Sequence, residues 1–205
     1  MTRWLVVVVM ALVVVAVASQ LILPPLAANR IEGRLTDHGG TADVSLSAFP
    51  AARLLWGDGD RISVTGSGID LPLDSSGGTV FDKLDGFDRV DVSLNDFRAG
   101  PFAVSSFELT RSSPSATYHL VSDASTTGGG LASYGAERLG LPGGALLGLF
   151  ADRALGADQP IPVRLDMTMD SDGGRIVVVS GGGTVAGYPT GPLAELITQA
   201  IAVRL

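Results

Sequence analysis

The sequence predicts an α+β fold in which a curved antiparallel sheet wraps around helices. The predicted elements run in the order helix, several strands, helices, two strands and a final helix, with no repeated strand–helix–strand unit. The strands alternate apolar with polar residues, as half-buried antiparallel strands do. In two strands the alternation changes phase midway, which predicts an extra residue or a sharp bend and therefore a strongly curved sheet.

The apolar character of residues 1–25 predicts a transmembrane anchor or a signal peptide. The run from Trp4 to Ala18, WLVVVVMALVVVAVA, has no polar residue, and further apolar residues extend it to Leu23. About 20 helical residues span about 30 Å, which is the thickness of a hydrocarbon core. The last three residues of the run, AVA, also fit a signal-peptidase site. Pro24-Pro25 is expected to stop or kink the helix.

Both interpretations place residues 26–205 outside the cytoplasm as a single domain. An uncleaved segment would anchor this domain to the cell membrane, whereas cleavage would release it into a periplasm-like space. A chain of 205 residues suits one domain of ordinary size with a substantial core.

The composition excludes several function classes. The chain has no cysteine, which rules out disulfides, thiolate nucleophiles and cysteine-based zinc sites. Its formal net charge is −7 and it has no basic cluster, so nucleic acid is not an expected partner. Electrostatic docking to anionic lipid is not expected either. Any contact with a membrane must therefore be hydrophobic.

The first predicted strands show the alternation and its phase changes. Residues 44–48 alternate apolar side chains with serines. The next strand, residues 61–73, carries its apolar residues on even positions before Gly66-Ser67-Gly68 and on odd positions after it. In residues 102–109 the same change occurs at Ser105-Ser106. Glycine is the residue at which bulges and bends commonly lie.

The remaining elements are predicted from their apolar spacing. DSDGG at residues 170–174 predicts a hairpin turn between two strands. The strand that follows, RIVVVS at residues 175–180, is apolar on both faces and is predicted to be covered on both. Other strands are predicted around residues 90–95, 118–120 and 161–169, and helices at residues 26–37, 146–155 and 193–201.

No catalytic site, metal site or cofactor is predicted. His38 and His119 stand outside any recognisable catalytic motif, and no nucleotide-binding or nucleophile-elbow fingerprint occurs. DSDGG lacks the other ligands of a calcium loop, and GDGDR at residues 57–61 fits a turn better than a metal site. The chain is therefore expected not to be an enzyme. The catalytic alternative is an enzyme of lipid or glycan whose site is assembled from residues distant in sequence.

Two groups of apolar residues permit two interpretations each. Phe49, Leu54, Leu55 and Trp56 surround a corner after Pro50, and they either plug the core or form a pocket rim or lipid-touching tip. Met167 and its alternating neighbour Met169 are either core residues or part of a pocket for flexible acyl chains, because methionine adapts its shape.

Several segments resemble one known family, the LmeA-like phospholipid-binding proteins of actinobacteria, which are extracytoplasmic and linked to lipomannan elongation. The apolar N-terminus runs into LAANRIEGRL, and an alternating strand then leads into AFP and RLLWGDGDRISVTGSGIDL. Farther on, DVSLNDF and DGGRIVVVSGGG continue the pattern. The resemblance covers most of residues 26–205.

The resemblance implies a sheet wrapped around a helix, as in tubular lipid-binding (TULIP-like) folds, with a groove for acyl chains. The implied function is non-catalytic binding or carriage of a phospholipid or related glycolipid in the cell envelope. The alternative is an envelope scaffold or accessory protein for a membrane enzyme, without a lipid ligand of its own. The residues expected to contact lipid lie on one sheet face, on the central helices and at the corner: Phe49, Leu55, Trp56, Val64, Ile69, Val92, Leu94, Phe107, Leu147, Phe150, Leu165 and Met167.

Overall fold

One nine-stranded sheet forms the framework of the part of the chain that the structure describes. The structure is a computed structural model that describes residues 2–37, 39–71, 81–130, 159–185 and 187–190, with the backbone alone for 2–17 and 188–190. Its helices are α1 (Thr2–Thr36), a 3₁₀ helix (Ala51–Trp56) and α2 (Phe81–Asp85). Its strands are β1 (Thr41–Ser47), β2 (Gly59–Ser67), β3 (Asp70–Leu71), β4 (Phe87–Ala99), β5 (Phe102–Arg111), β6 (Tyr118–Thr126), β7 (Ile161–Asp172), β8 (Arg175–Val185) and β9 (Tyr188–Thr190).

The sheet is open and curved, and its order is β1-β2-β4-β5-β6-β7-β8-β9, with β3 also beside β4. Most neighbours are antiparallel, which agrees with the predicted α+β class. The expectation of a wholly antiparallel sheet is wrong at β4, which pairs in parallel with both β2 and β3. A parallel pairing requires a crossover rather than a hairpin, and α2 precedes β4 in that connection.

The predicted phase changes are part of one larger irregularity. The change at Ser105-Ser106 is confirmed, because the register between β5 and β6 shifts between Val104 and Ser106. The change near Gly68 proves to be a break, since β2 ends at Ser67 and Gly68 has a φ of 67°. A third irregularity lies between them at Asp96 of β4, with a φ of 47°. The Gly68 amide donates to the Asp96 carbonyl (3.0 Å), so the irregularities are neighbours across the sheet.

Helix α1 does not stop at Pro24-Pro25, and the prediction of a helix end there is wrong. The helix continues through both prolines from Thr2 to Thr36. The two prolines remove two backbone donors from the helix, and the helix packs against β1. Ala28 and Leu35 join the buried core, and the Glu32 Oε1 atom accepts a hydrogen bond from the Val44 amide of β1 (2.9 Å). The helix ends close to the predicted position at Gly39-Gly40.

Among the residues whose side chains the structure describes, no helix combines the length and the apolarity needed to cross a membrane. The run Trp4–Ala18, on which the anchor or signal peptide was predicted, falls almost wholly outside that set of residues. The expectation for residues 1–25 therefore stays a prediction.

The hairpin predicted at DSDGG is confirmed, whereas the cover predicted for the strand after it is wrong. Gly173 and Gly174, with φ of 57° and 77°, connect β7 to β8 in a two-residue turn. Beyond it, Val177, Val178 and Val179 are 47%, 40% and 58% exposed. Within the described residues β9 pairs only with residues 183–185 of β8, so the first half of β8 has a strand on one side only. The helices predicted at residues 146–155 and 193–201 lie outside the described residues.

Candidate functional site

Six of the predicted lipid-contacting residues come together on one face of the sheet, in two adjacent rows that cross the strands. This inner face carries the buried apolar residues. The first row consists of Val64, Val92, Leu109, Leu120 and Met167, in register from β2 to β7. The second row consists of Leu94, Phe107, Ser122 and Leu165. Every member of both rows is at most 2% exposed.

Ile69 extends the second row beyond β4. It is buried, and its Cδ1 atom lies over Gly66, where a Cβ on that glycine would come within 2.9 Å of it. The same added Cβ would lie 3.2 Å from the Leu94 Cδ2 atom, so Ile69 and Leu94 pack beside each other over Gly66. The last two predicted residues of the apolar lining, Leu147 and Phe150, lie outside the described residues.

The inner face offers hydrocarbon contact and almost no polar chemistry. Its one hydroxyl in these rows, on Ser122, donates to the Ser106 carbonyl (2.9 Å) and is therefore occupied. Ala28 and Leu35 from α1, and Phe81 and Leu84 from α2, belong to the same buried cluster. Such a surface can hold only apolar groups, whether these are side chains of the protein or acyl chains of a ligand.

The corner after β1 is exposed, and the interpretation that it plugs the core is wrong for three of its four apolar residues. Phe49, Leu55 and Trp56 are 78%, 68% and 75% exposed. Ala51 and Leu54 make the core contact instead. A 3₁₀ helix repeats every three residues, so Ala51 and Leu54 share the side that faces the core and Leu55 and Trp56 cannot join them. We call Phe49, Leu55 and Trp56 the apolar corner.

Helix α1 holds the apolar corner through the side chain of Gln20. With its amide oriented to satisfy both atoms, the Gln20 nitrogen donates to the Ala48 carbonyl (3.2 Å) and the oxygen accepts from the Ala51 amide (2.9 Å). These two bonds bracket Phe49-Pro50. The next two residues of α1, Leu21 and Ile22, are also exposed. No local sequence pattern indicates this contact, because a glutamine at the end of an apolar run has no typical partner.

A polar cluster closes one end of the inner face, where Asp85 ends α2. Asp85 Oδ1 accepts hydrogen bonds from the Tyr118 hydroxyl (2.8 Å) and from Arg111 Nη1 (3.1 Å), and the Ser171 hydroxyl donates to Oδ2. The Arg111 guanidinium also lies over the Tyr118 ring (4.7 Å), whose other contact is the Phe81 ring (centroids 4.3 Å apart). The cluster thus joins α2 to the ends of β5, β6 and β7.

The structural role of this cluster gives a pH-dependent prediction. Burial and the hydrogen bond to the Asp85 carboxylate raise the pKa of Tyr118 above its ordinary value. A phenol held neutral in the folded protein stabilises it fully below the unfolded pKa of about 10, and that stability is lost as the pH rises further. We expect the free energy of unfolding to fall by up to about 1.4 kcal/mol per pH unit above pH 10.

Urea titrations between pH 9 and pH 11 measure this slope, with Tyr118→Phe as the matched control. The variant lacks the titrating phenol and should lose most of the slope. An identical slope in the two proteins would show that Tyr118 is not responsible.

The outer face of the sheet carries a polar surface pocket of about 420 Å³. Arg61 Nη2 lies 2.6 Å from Asp91 Oδ2, and His119 Nε2 lies 3.3 Å from Asp166 Oδ1 on the exposed side of β6 and β7. The pocket is lined by Arg61, Arg89, Asp91, Thr110, Arg111, Ser112, Thr117 and His119. In the described part of the chain no three His, Cys, Asp or Glu side chains are grouped to hold a metal ion. The second histidine of the chain, His38, lies outside the described residues.

Comparison with known proteins finds no matching family model, no matching curated protein and no matching solved structure. The fold therefore defines the class only as an open, curved, mostly antiparallel sheet with helices against its apolar face.

Proposed function

We propose that the protein binds or carries a phospholipid or related glycolipid in the cell envelope, without catalysis, and holds its acyl chains against the inner face of the sheet. The observation that carries the proposal is the pair of buried rows, one from β2 to β7 and one from β4 to β7, which are apolar except for Ser122 and lie across a curved sheet. The resemblance to LmeA-like proteins and TULIP-like folds points the same way and remains an expectation.

The energetics of such a site require no charged residue. Removing an acyl chain from water contributes about 0.8 kcal/mol per buried methylene. Ten methylenes therefore supply on the order of 8 kcal/mol before the costs of association and ordering. A polar headgroup would remain in solvent at the edge of the sheet. We also propose that residues 1–25 anchor the protein to the membrane or direct its export, so that it meets lipid outside the cytoplasm.

An envelope scaffold without a lipid ligand is the second candidate. The observation that favours it is the burial of the inner face, whose row residues are at most 2% exposed and fit a packed core equally well. In that case the exposed surfaces, not the inner face, would carry the function.

The proposal predicts a discrete lipid adduct on the full-length protein. The chain is expressed in an actinobacterial host, extracted in mild detergent and examined by native mass spectrometry, and the adduct is identified after organic extraction. We expect one phospholipid or glycolipid class in fixed stoichiometry. Leu165→Phe adds volume on the inner face and should lower the occupancy, because less space remains for an acyl chain.

Leu26→Phe is the matched control, since it makes the same replacement at an exposed position of α1 that belongs neither to the inner face nor to the apolar corner. Its occupancy should equal that of the unmodified protein. Lipid that adheres only around the N-terminal helix would be retained equally by all three proteins, which would contradict the inner-face site. A protein without any adduct, and without uptake from added vesicles, would remove the proposal and leave the scaffold.

A further inference from the structure

Large exposed apolar side chains near the start of the domain come from two parts of the chain, the apolar corner and the adjacent stretch of α1. Phe49, Leu55 and Trp56 of the apolar corner are more than two-thirds exposed, and so is Leu21 of α1. Ile22 beside it is 54% exposed. The surfaces of soluble proteins tolerate scattered single apolar residues, but several large ones at the same end of a domain indicate an interaction site.

Helix α1 fixes where this surface lies relative to the apolar N-terminal run. The Gln20 amide bonds to both sides of the corner, so the corner lies beside residue 20 of the helix. From Gln20 the helix continues in the N-terminal direction to Thr2. At 1.5 Å per residue these 18 steps extend about 27 Å beyond the corner. The run without polar residues, Trp4–Ala18, ends two residues before Gln20.

We propose that the apolar corner, with Leu21 and Ile22, docks on the surface of the lipid bilayer that receives the apolar run of α1. A hydrocarbon core of about 30 Å accommodates about 20 helical residues, which places Gln20 and the corner at the boundary between acyl chains and headgroups. Tryptophan is the side chain that prefers this boundary, and Trp56 is the most polarisable member of the corner. This orientation rests on the membrane anchor proposed above for residues 1–25 and does not depend on a lipid in the inner face.

The pairing of the arginine at the apolar corner favours a neutral lipid surface as the binding partner of the corner. The cation of the corner, Arg53, is paired with Asp60 (2.7 Å), so it provides no free positive charge for anionic headgroups. Attraction must then come from burying apolar side chains, which salt does not screen. Docking should therefore occur on zwitterionic vesicles and persist at high ionic strength.

The chain offers a direct reporter, because Trp4 and Trp56 are its two tryptophans. Trp4→Phe leaves Trp56 alone. The full-length variant is reconstituted in phosphatidylcholine vesicles that contain acyl-brominated phosphatidylcholine, at low and at high salt. We expect a shift of Trp56 emission to shorter wavelength, loss of most of that emission to the brominated lipid, and protection from aqueous acrylamide, all independent of salt.

The matched control moves the reporter to the opposite end of the sheet. Ala103 is exposed on β5 near the end away from the corner, so Ala103→Trp with Trp4→Phe and Trp56→Phe should be quenched by acrylamide and not by brominated lipid. Equal acrylamide quenching of the two reporters would overturn the proposal. So would protection of Trp56 without brominated-lipid quenching, which would indicate a protein partner or a second copy, or failure of the Trp4→Phe protein to float with the vesicles.

Discussion

Asp85→Ala should lower the free energy of unfolding by about 3 kcal/mol or more, the largest electrostatic effect that we expect in this protein. The Arg111 side chain is 4% exposed and its charge is paired with Asp85. Removing the carboxylate leaves a buried cation that keeps backbone carbonyl partners but has lost its opposite charge, and breaking a buried pair in this way typically costs about 3–5 kcal/mol. The Asp85 side chain itself is 31% exposed, so we expect the lower part of that range. Urea denaturation followed by circular dichroism measures the change.

Two variants separate this cause from a general effect of deleting a carboxylate. Asp123→Ala removes the partner of Arg164 (2.6 Å) on the exposed surface and should change the stability little, because solvent screens an exposed ion pair. Asp85→Ala combined with Arg111→Met removes both charges and should recover part of the loss, because no cation is left buried. A double variant as unstable as Asp85→Ala would show that the hydrogen bonds of Tyr118 and Ser171, not the Arg111 charge, dominate.

Leu165→Ala should cost about 2–5 kcal/mol, because a buried leucine loses its transfer free energy and leaves a cavity. Leu165 is 1% exposed in the second inner row. Leu55→Ala, the same change in the apolar corner, should alter stability by no more than about 0.5 kcal/mol. Thermal and urea unfolding of both variants measure the contrast.

The pair also separates the two surfaces functionally. Leu55→Ala keeps the fold and weakens only the contact at the corner, so any change in its membrane orientation is not a result of unfolding. A small effect of Leu165→Ala would mean that the inner face is loosely filled, and a large effect of Leu55→Ala would contradict the exposure of the corner.

Alternation in the sequence predicted the strands and which residues share a face, because side chains on a strand change sides at every residue. Val92, Leu94, Leu165 and Met167 consequently lie in the rows that their phase indicated. The phase change at Ser105 was also visible as a sequence pattern and is a register shift in the structure.

Other features depend on partners that no local pattern reveals. The parallel pairing of β2 with β4 follows from the path of the crossover, and the continuity of α1 through Pro24-Pro25 follows from tertiary packing. The exposure of Leu55 and Trp56 results from a three-residue helical repeat rather than the expected strand-to-strand corner.

The Asp85 cluster is the clearest residue set that sequence reasoning missed. Its members are brought together from α2, β5, β6 and β7. One signal was present, because Arg111 continues the apolar phase of Phe107 and Leu109 on β5. An arginine on the buried side of a strand requires a carboxylate partner, although the sequence does not say which one.

The irregularities at Gly68, Asp96 and Ser105 lie opposite one another and form a single row across neighbouring strands. Pairing offsets are unchanged from β2 and β3 to β4 and from β4 to β5, and this row's mismatch appears between β5 and β6; a separate register shift lies between β7 and β8 at Thr168 and Met169. An inserted layer of residues therefore runs through the sheet and terminates at β6, where the Ser105 hydroxyl donates to the Asp123 carbonyl (2.9 Å). This is the geometry of an edge dislocation in a crystal. Deleting Asp96 alone would create two new mismatches, whereas deleting all three residues together would remove the dislocation and leave the separate register shift between β7 and β8 in place.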